Sequence, residues 1–150
     1  MIVPMKKISL ITLKDKKITK RIIGRNKNYI ITMDNMLIPV TDIIDMFLKK
    51  GDVIYRLEDS SGTVSKKDTT KESRKYPVAV LVNGGSASAS EILAAAIKES
   101  YGGFVVGTNT FGKGTVQQTT TLPDGSMVKY TIQKWLTPNG NWINEKGVTP

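Results

Sequence analysis

The sequence predicts an α/β fold: a mixed sheet that contains a βαβ unit and ends in a C-terminal β-hairpin. Two observations carry this. Pro77-Val-Ala-Val-Leu-Val82, a helix-prone stretch and Phe104-Val-Val106 follow one another as strand, helix and strand. Two strand-prone runs then flank the turn Pro123-Asp-Gly125. The first pattern calls for a parallel pair with a right-handed crossover. The second is an antiparallel hairpin.

The elements follow in chain order. Residues 1–36 mix basic residues with short β-prone pieces such as Tyr29-Ile-Ile-Thr-Met33. From Leu37 the pattern becomes locally consistent. Ile43, Ile44, Phe47 and Leu48 recur at helical spacing, which predicts a helix over 41–50. Lys49 and Lys50 suit its C-terminal dipole, and Gly51 suits a left-handed stop. Asp52-Val-Ile-Tyr-Arg-Leu57 alternates as a strand, Asp59-Ser-Ser-Gly62 is a turn, and 63–75 is a polar loop or hairpin arm. The continuous apolar run at 77–82 predicts a strand buried on both faces. Asn83-Gly-Gly85 ends it. A helix opens at Ser86-Ala-Ser-Ala-Ser-Glu91 and closes at Gly102 and Gly103. A glycine-rich loop occupies 107–114. The hairpin strands are Thr115-Val-Gln-Gln-Thr-Thr-Thr121 and Met127-Val-Lys-Tyr-Thr-Ile132, and Thr137-Pro-Asn-Gly140 is a further turn. No closing element is predicted between that turn and Pro150.

Composition narrows the chemistry. The 150 residues contain no cysteine and no histidine. Disulfides, thiol nucleophiles and Cys-ligated zinc are excluded. So are Ser-His-Asp triads, imidazole acid–base steps and most transition-metal sites. No cofactor and no metal are expected. The net charge is +9. Residues 1–28 hold nine basic residues against Asp15 alone, so the remaining 122 residues are close to neutral. A basic head can touch nucleic acid or anionic lipid. It carries no aromatic residue to stack bases, so a solvated head fits better than a nucleic-acid partner. No stretch approaches the ~20 apolar residues of a spanning helix. Ile8-Ser-Leu-Ile-Thr-Leu13 is too short and too poorly flanked for a signal peptide.

Two places could hold chemistry. Ser88 and Glu91 match a helix capping box, in which the serine caps the helix and the glutamate reaches back. The same serine sits at a strand-to-helix turn, where helix N-terminal amides can stabilise an oxyanion. Gly107-Thr-Asn-Thr-Phe-Gly-Lys-Gly-Thr115 approaches a phosphate-binding loop. It has Gly114 where a magnesium-binding hydroxyl belongs, and a β-prone run follows where a helix is needed. With histidine absent, lysine is the common remaining base for a serine nucleophile. Lys113 must be neutral for that role, which burial away from water favours. Gln117, four residues on in a strand, shares its face and can hold the amine.

These residues carry a resemblance. Residues 76–92, Thr110-Phe-Gly-Lys-Gly-Thr-Val-Gln-Gln118, Leu136-Thr-Pro-Asn-Gly140 and Gly147-Val-Thr-Pro150 closely resemble the catalytic core of the C-terminal processing proteases, the S41 or tail-specific serine peptidases. The stretch 38–55 extends the likeness, which covers about three-quarters of the chain. The resemblance implies a ClpP/crotonase-like α/β core and a Ser-Lys dyad. It places the nucleophile at Ser88, the base at Lys113, the supporting amide at Gln117 and one oxyanion donor at the backbone amide of Ala89. It implies polypeptide substrates with exposed, usually apolar, C-termini, no metal, and work outside the cytoplasm, in a periplasm or cell envelope. The chain is thus expected to divide into a basic, atypical segment 1–36 and a truncated S41-like core 37–150, without the family's PDZ domain.

The family's Asp-Leu-Arg-x-Asn-x-Gly-Gly motif, whose glycine gives the second oxyanion donor, has no counterpart. Residues 24–37 contain no paired glycine. Two readings follow. One is a serine endopeptidase cutting at or near C-termini. The other is an impaired or inactive remnant that binds peptide. On either, residues 1–36 read as sequence foreign to the family, joined to the core by a frameshift or gene fusion. The oligomeric state is not encoded in any motif.

Overall fold

A computed structural model describes residues 8–11, 17–20, 22–25, 29–32, 37–45, 47–67 and 77–150, with side chains described from residue 40 onward. The side chains of the basic head and residues 68–76 of the predicted polar loop lie outside the described residues. Five short strands open the chain: β1 Ile8–Ile11, β2 Lys17–Lys20, β3 Ile22–Arg25, β4 Tyr29–Thr32 and β5 Leu37–Pro39. They pair antiparallel as β1–β2 and β3–β4–β5. Helix α1 spans Val40–Asp45. It is shorter than the predicted 41–50. The amides of Phe47 and Leu48 both turn back to the Ile44 carbonyl, so the chain tightens beyond the helix instead of extending it. Gly51 does take the left-handed conformation, at φ 94°.

The βαβ unit forms as expected. Strand β8, Ala79–Val82, pairs parallel with β9, Phe104–Gly107, in the register Ala79↔Phe104 to Val82↔Gly107. Between them lie α2, Ala89–Ala96, and a π-helical turn, Ile97–Tyr101. Gly102 then reverses the chain at φ 78°. Strands β6 Val53–Asp59, β7 Gly62–Lys67, β10 Thr115–Thr121 and β11 Met127–Leu136 form an antiparallel sheet in the order β10-β11-β6-β7. Parallel and antiparallel strands thus belong to separately hydrogen-bonded sheets of one α/β structure.

Helix α2 is the hub. On one side Ala94 and Ala95 pack with Val82, Trp135, Ile143 and Val148. On the other, Ala96 joins Ile44, Leu48 and Ile54. Three successive alanines with no exposed surface let both layers approach the helix axis closely. Among the described residues no helix is long and apolar enough to cross a membrane.

One expectation fails. The run at 77–82 is not buried on both faces. Val80, Val82 and Val105 face α2, whereas Leu81 is 79% exposed and Phe104 69% exposed. An unbroken apolar run signals two apolar faces, but only neighbours on both sides bury them. The segment after the turn at 137–140 forms no strand or helix, yet it docks. Ile143 and Val148 enter the core, and the Val148 amide donates to the Thr110 hydroxyl at 2.6 Å.

Candidate active site

Strand β8 ends at Val82, and the chain passes Asn83 and turns through Gly84 and Gly85 before α2 starts. The Asn83 side chain accepts from the Gly85 amide, and the Asn83 amide donates to the Ser86 hydroxyl. Ser88 sits at the mouth of α2 with φ 58° and ψ −119°. An N-cap residue ordinarily holds an extended conformation. A serine at positive φ costs roughly 1–3 kcal/mol and persists only where its surroundings fix it. Its amide donates to Glu91 Oε2 at 2.8 Å, so the glutamate's half of the capping box is made. The strained backbone sets Ser88 apart from Ser86 and Ser90, a distinction the repeated Ser-Ala pattern cannot make.

The glycine-rich loop lies directly against this turn. The Phe111 amide donates to the Ser86 carbonyl at 2.9 Å. Gly112 and Lys113 both donate to the Glu91 carboxylate, at 2.7 and 2.9 Å. The Trp135 indole donates to the Lys113 carbonyl at 2.6 Å, and the Trp142 indole to the Gly114 carbonyl at 2.9 Å. The 140s brace the far side, with the Glu145 amide on the Gly112 carbonyl and Asn144 Oδ1 accepting from the Gly114 amide. A Cβ on Gly114 would sit 2.7 Å from the Asn144 amide nitrogen, so glycine is required there by space. Strand β10 follows at once, as the β-prone run predicts. No helix presents amides for a nucleotide phosphate, which removes the phosphate-loop reading.

Ser88, Lys113 and Gln117 line a single cleft of about 470 Å³. Its walls also include Tyr55, Leu57, Ile92, Val116 and Trp135, with Lys129 at the β11 side. Lys113 is half-buried and Gln117 exposed. A break in the β10–β11 register falls between Val116 and Gln117, so strand alternation alone does not place Gln117. The Ala89 amide occupies the first turn of α2, where backbone N–H groups have no partner within the helix. The cleft therefore combines a strained serine, a lysine, a side-chain amide and an apolar wall. Such a site can bind an extended peptide and attack a carbonyl held there.

Sequence reasoning assigned Glu91 only to the cap. The glutamate is fully buried and bonds the loop as well. The signal available was its position three residues after Ser88. Nothing in the sequence announced that the glycine loop would return to it.

A family model described as Peptidase family S41 matches residues 36–150. The carboxy-terminal processing protease CtpB of Bacillus subtilis (strain 168) is 47% identical over 112 residues, which are 74% of this chain and 23% of the relative. A probable CtpA-like serine protease of Staphylococcus aureus (strain N315) is 43% identical over 109 residues, 71% of this chain and 22% of the relative. The chain thus spans less than a quarter of the length of these curated relatives. Among solved structures, a photosystem II D1 C-terminal processing protease superposes with a TM-score of 0.68 at 38% identity, over 74% of this chain and 29% of that one.

Proposed function

The chain belongs to peptidase family S41, and from that premise we propose that residues 37–150 act as a serine-type endopeptidase core cutting polypeptides at or near their C-termini. Ser88 Oγ attacks the scissile carbonyl while Lys113 Nζ, as the neutral amine, takes its proton. The Ala89 amide stabilises the oxyanion, and Gln117 holds the lysine. Lys113 returns the proton to the leaving amine, and an acyl-enzyme remains on Ser88. Water, deprotonated by Lys113, then attacks the ester and releases the new C-terminus. The observation that carries this reading is the positive φ of Ser88 at the edge of the cleft that Lys113 also lines. The apolar wall supports apolar residues as the preferred substrate side chains. Kinship with processing proteases supports a site of action outside the cytoplasm.

A second reading is favoured by one specific observation. Residues 24–37 lack the paired glycine expected to supply another oxyanion donor. Losing one such donor typically costs roughly 10²–10³ in rate. On this reading the cleft still binds peptide but turns it over slowly or not at all. Incubation with an unfolded protein bearing an apolar C-terminus, analysed by mass spectrometry, separates the two. Endopeptidase function predicts fragments from the wild type and none from Ser88→Ala or Lys113→Ala. Full cleavage by either variant would remove the dyad. No cleavage by a folded wild type would leave the peptide-binding remnant.

A further inference from the structure

Glu91 has no solvent exposure, and its two oxygens accept four hydrogen bonds. Oε1 takes the Thr110 hydroxyl at 2.6 Å and the Gly112 amide at 2.7 Å. Oε2 takes the Ser88 amide at 2.8 Å and the Lys113 amide at 2.9 Å. One atom therefore links the backbones of two residues that stand 25 positions apart, one following each strand of the parallel pair. We propose that Glu91 is a positioning residue for the Ser88–Lys113 pair, an inference that rests on the peptidase reading above.

The physical case has three parts. The strained backbone of Ser88 needs a fixed partner to persist, and the Oε2 bond to its own amide is that partner. The Lys113 backbone is fixed by the same oxygen, so the distance between the two residues is set by one rigid carboxylate rather than by two independent loops. Four donors facing one group select an ionised carboxylate, which only accepts. A neutral amide in its place turns two donors toward the N–H and O–H donors already there. The location also suits a negative charge, at the first turn of α2. Orientation errors of this kind lower the rate of the chemical step more than they weaken binding.

The test uses the full chain and a peptide substrate, with kcat, KM and thermal unfolding measured on the same samples. Glu91→Gln is expected to lower kcat by about 10²-fold or more while KM stays within about twofold. Thr110→Val removes one donor from Oε1 and the Val148 contact but leaves the Oε2 link. It is expected to lower the unfolding temperature and keep kcat within about threefold. Glu91→Asp keeps the charge on a stem one methylene shorter that cannot reach both loops, and it reads the same quantity should Glu91→Gln not fold. Loss of kcat that merely tracks loss of thermal stability across all three variants would overturn the positioning role. So would a Glu91 effect confined to KM. Turnover absent from the wild type, as from Ser88→Ala, would instead overturn the peptidase reading and this inference with it.

Discussion

The loop 107–114 and the hairpin β10–β11 are joined at Thr115, yet they are ordered by opposite means. From Thr108 to Gly114 the loop has no regular secondary structure, but its backbone is tied at nearly every residue. Thr110, Gly112 and Lys113 bond Glu91, Phe111 bonds Ser86, and two indoles hold the Lys113 and Gly114 carbonyls. The hairpin is a hydrogen-bonded ladder with one register break, but every residue from 117 to 132 is exposed. Met127, Val128, Tyr130 and Ile132 all face solvent. Precision in this molecule thus comes from a buried polar junction rather than from secondary structure. A ladder fixes the hairpin's own register, and the junction fixes one loop against another.

Two glycines make the comparison sharp, because their backbones are nearly alike. Gly112 has φ 87° and Gly125, in the hairpin turn, has φ 83°. A Cβ on Gly112 would lie 2.9 Å from the amide nitrogens of Gly147 and Lys146, whereas one on Gly125 would meet nothing within 4 Å. Gly112→Ala is therefore expected to cost more than about 4 kcal/mol of stability and to remove turnover, since backbone atoms cannot yield as a side-chain end can. Gly125→Ala should cost only the left-handed strain, about 1–2 kcal/mol, and leave turnover unchanged. Denaturant unfolding of the two variants checks both figures. Equal costs would mean that the loop's surroundings give way, and the contrast between loop and hairpin would fail.

The smallest effect concerns pH at the sheet's exposed end. Asp59 closes the β6–β7 turn, where the Ser61 hydroxyl, then Gln133, then the Ser61 amide hold its carboxyl down to about 2 from the usual 3.8. A folded-state value below the unfolded one gives stability that is present above about pH 4 and lost as pH falls through 2. The gap in unfolding temperature between the wild type and Asp59→Asn is expected to be small above pH 4 and to close between pH 4 and 2. A gap that widens there would reverse the sign of the assignment.

Much of this was legible in the sequence. The Val-rich run, the alanine-rich helix and the second short apolar strand fixed the parallel pair, because period and length leave few alternatives. The hairpin followed from Pro123-Asp-Gly125. Ser88, Lys113 and Gln117 were singled out by elimination and by family resemblance, and all three line one cleft. What stayed hidden depended on contacts distant in sequence. Leu81 read as buried because apolar character was all that was visible, and its exposure is set by what lies across from it. The helix near 41–50 read too long, since the periodicity of Phe47 and Leu48 is met by a tightened turn as well as by a helix. Glu91 read as a cap because capping is local, whereas its bonds to Thr110, Gly112 and Lys113 span some twenty residues.

The Ser–Lys mechanism turns on Ser88 being the nucleophile. A fluorophosphonate forms a covalent adduct with an activated serine and needs no knowledge of the natural substrate. Treating the folded chain with such a probe and mapping the adduct by peptide mass spectrometry tests that claim directly. A nucleophilic Ser88 activated by Lys113 predicts a single adduct on Ser88, absent from Ser88→Ala and much slowed in Lys113→Ala. An adduct on Ser86 or Ser90, or labelling at Ser88 that does not depend on Lys113, would contradict it.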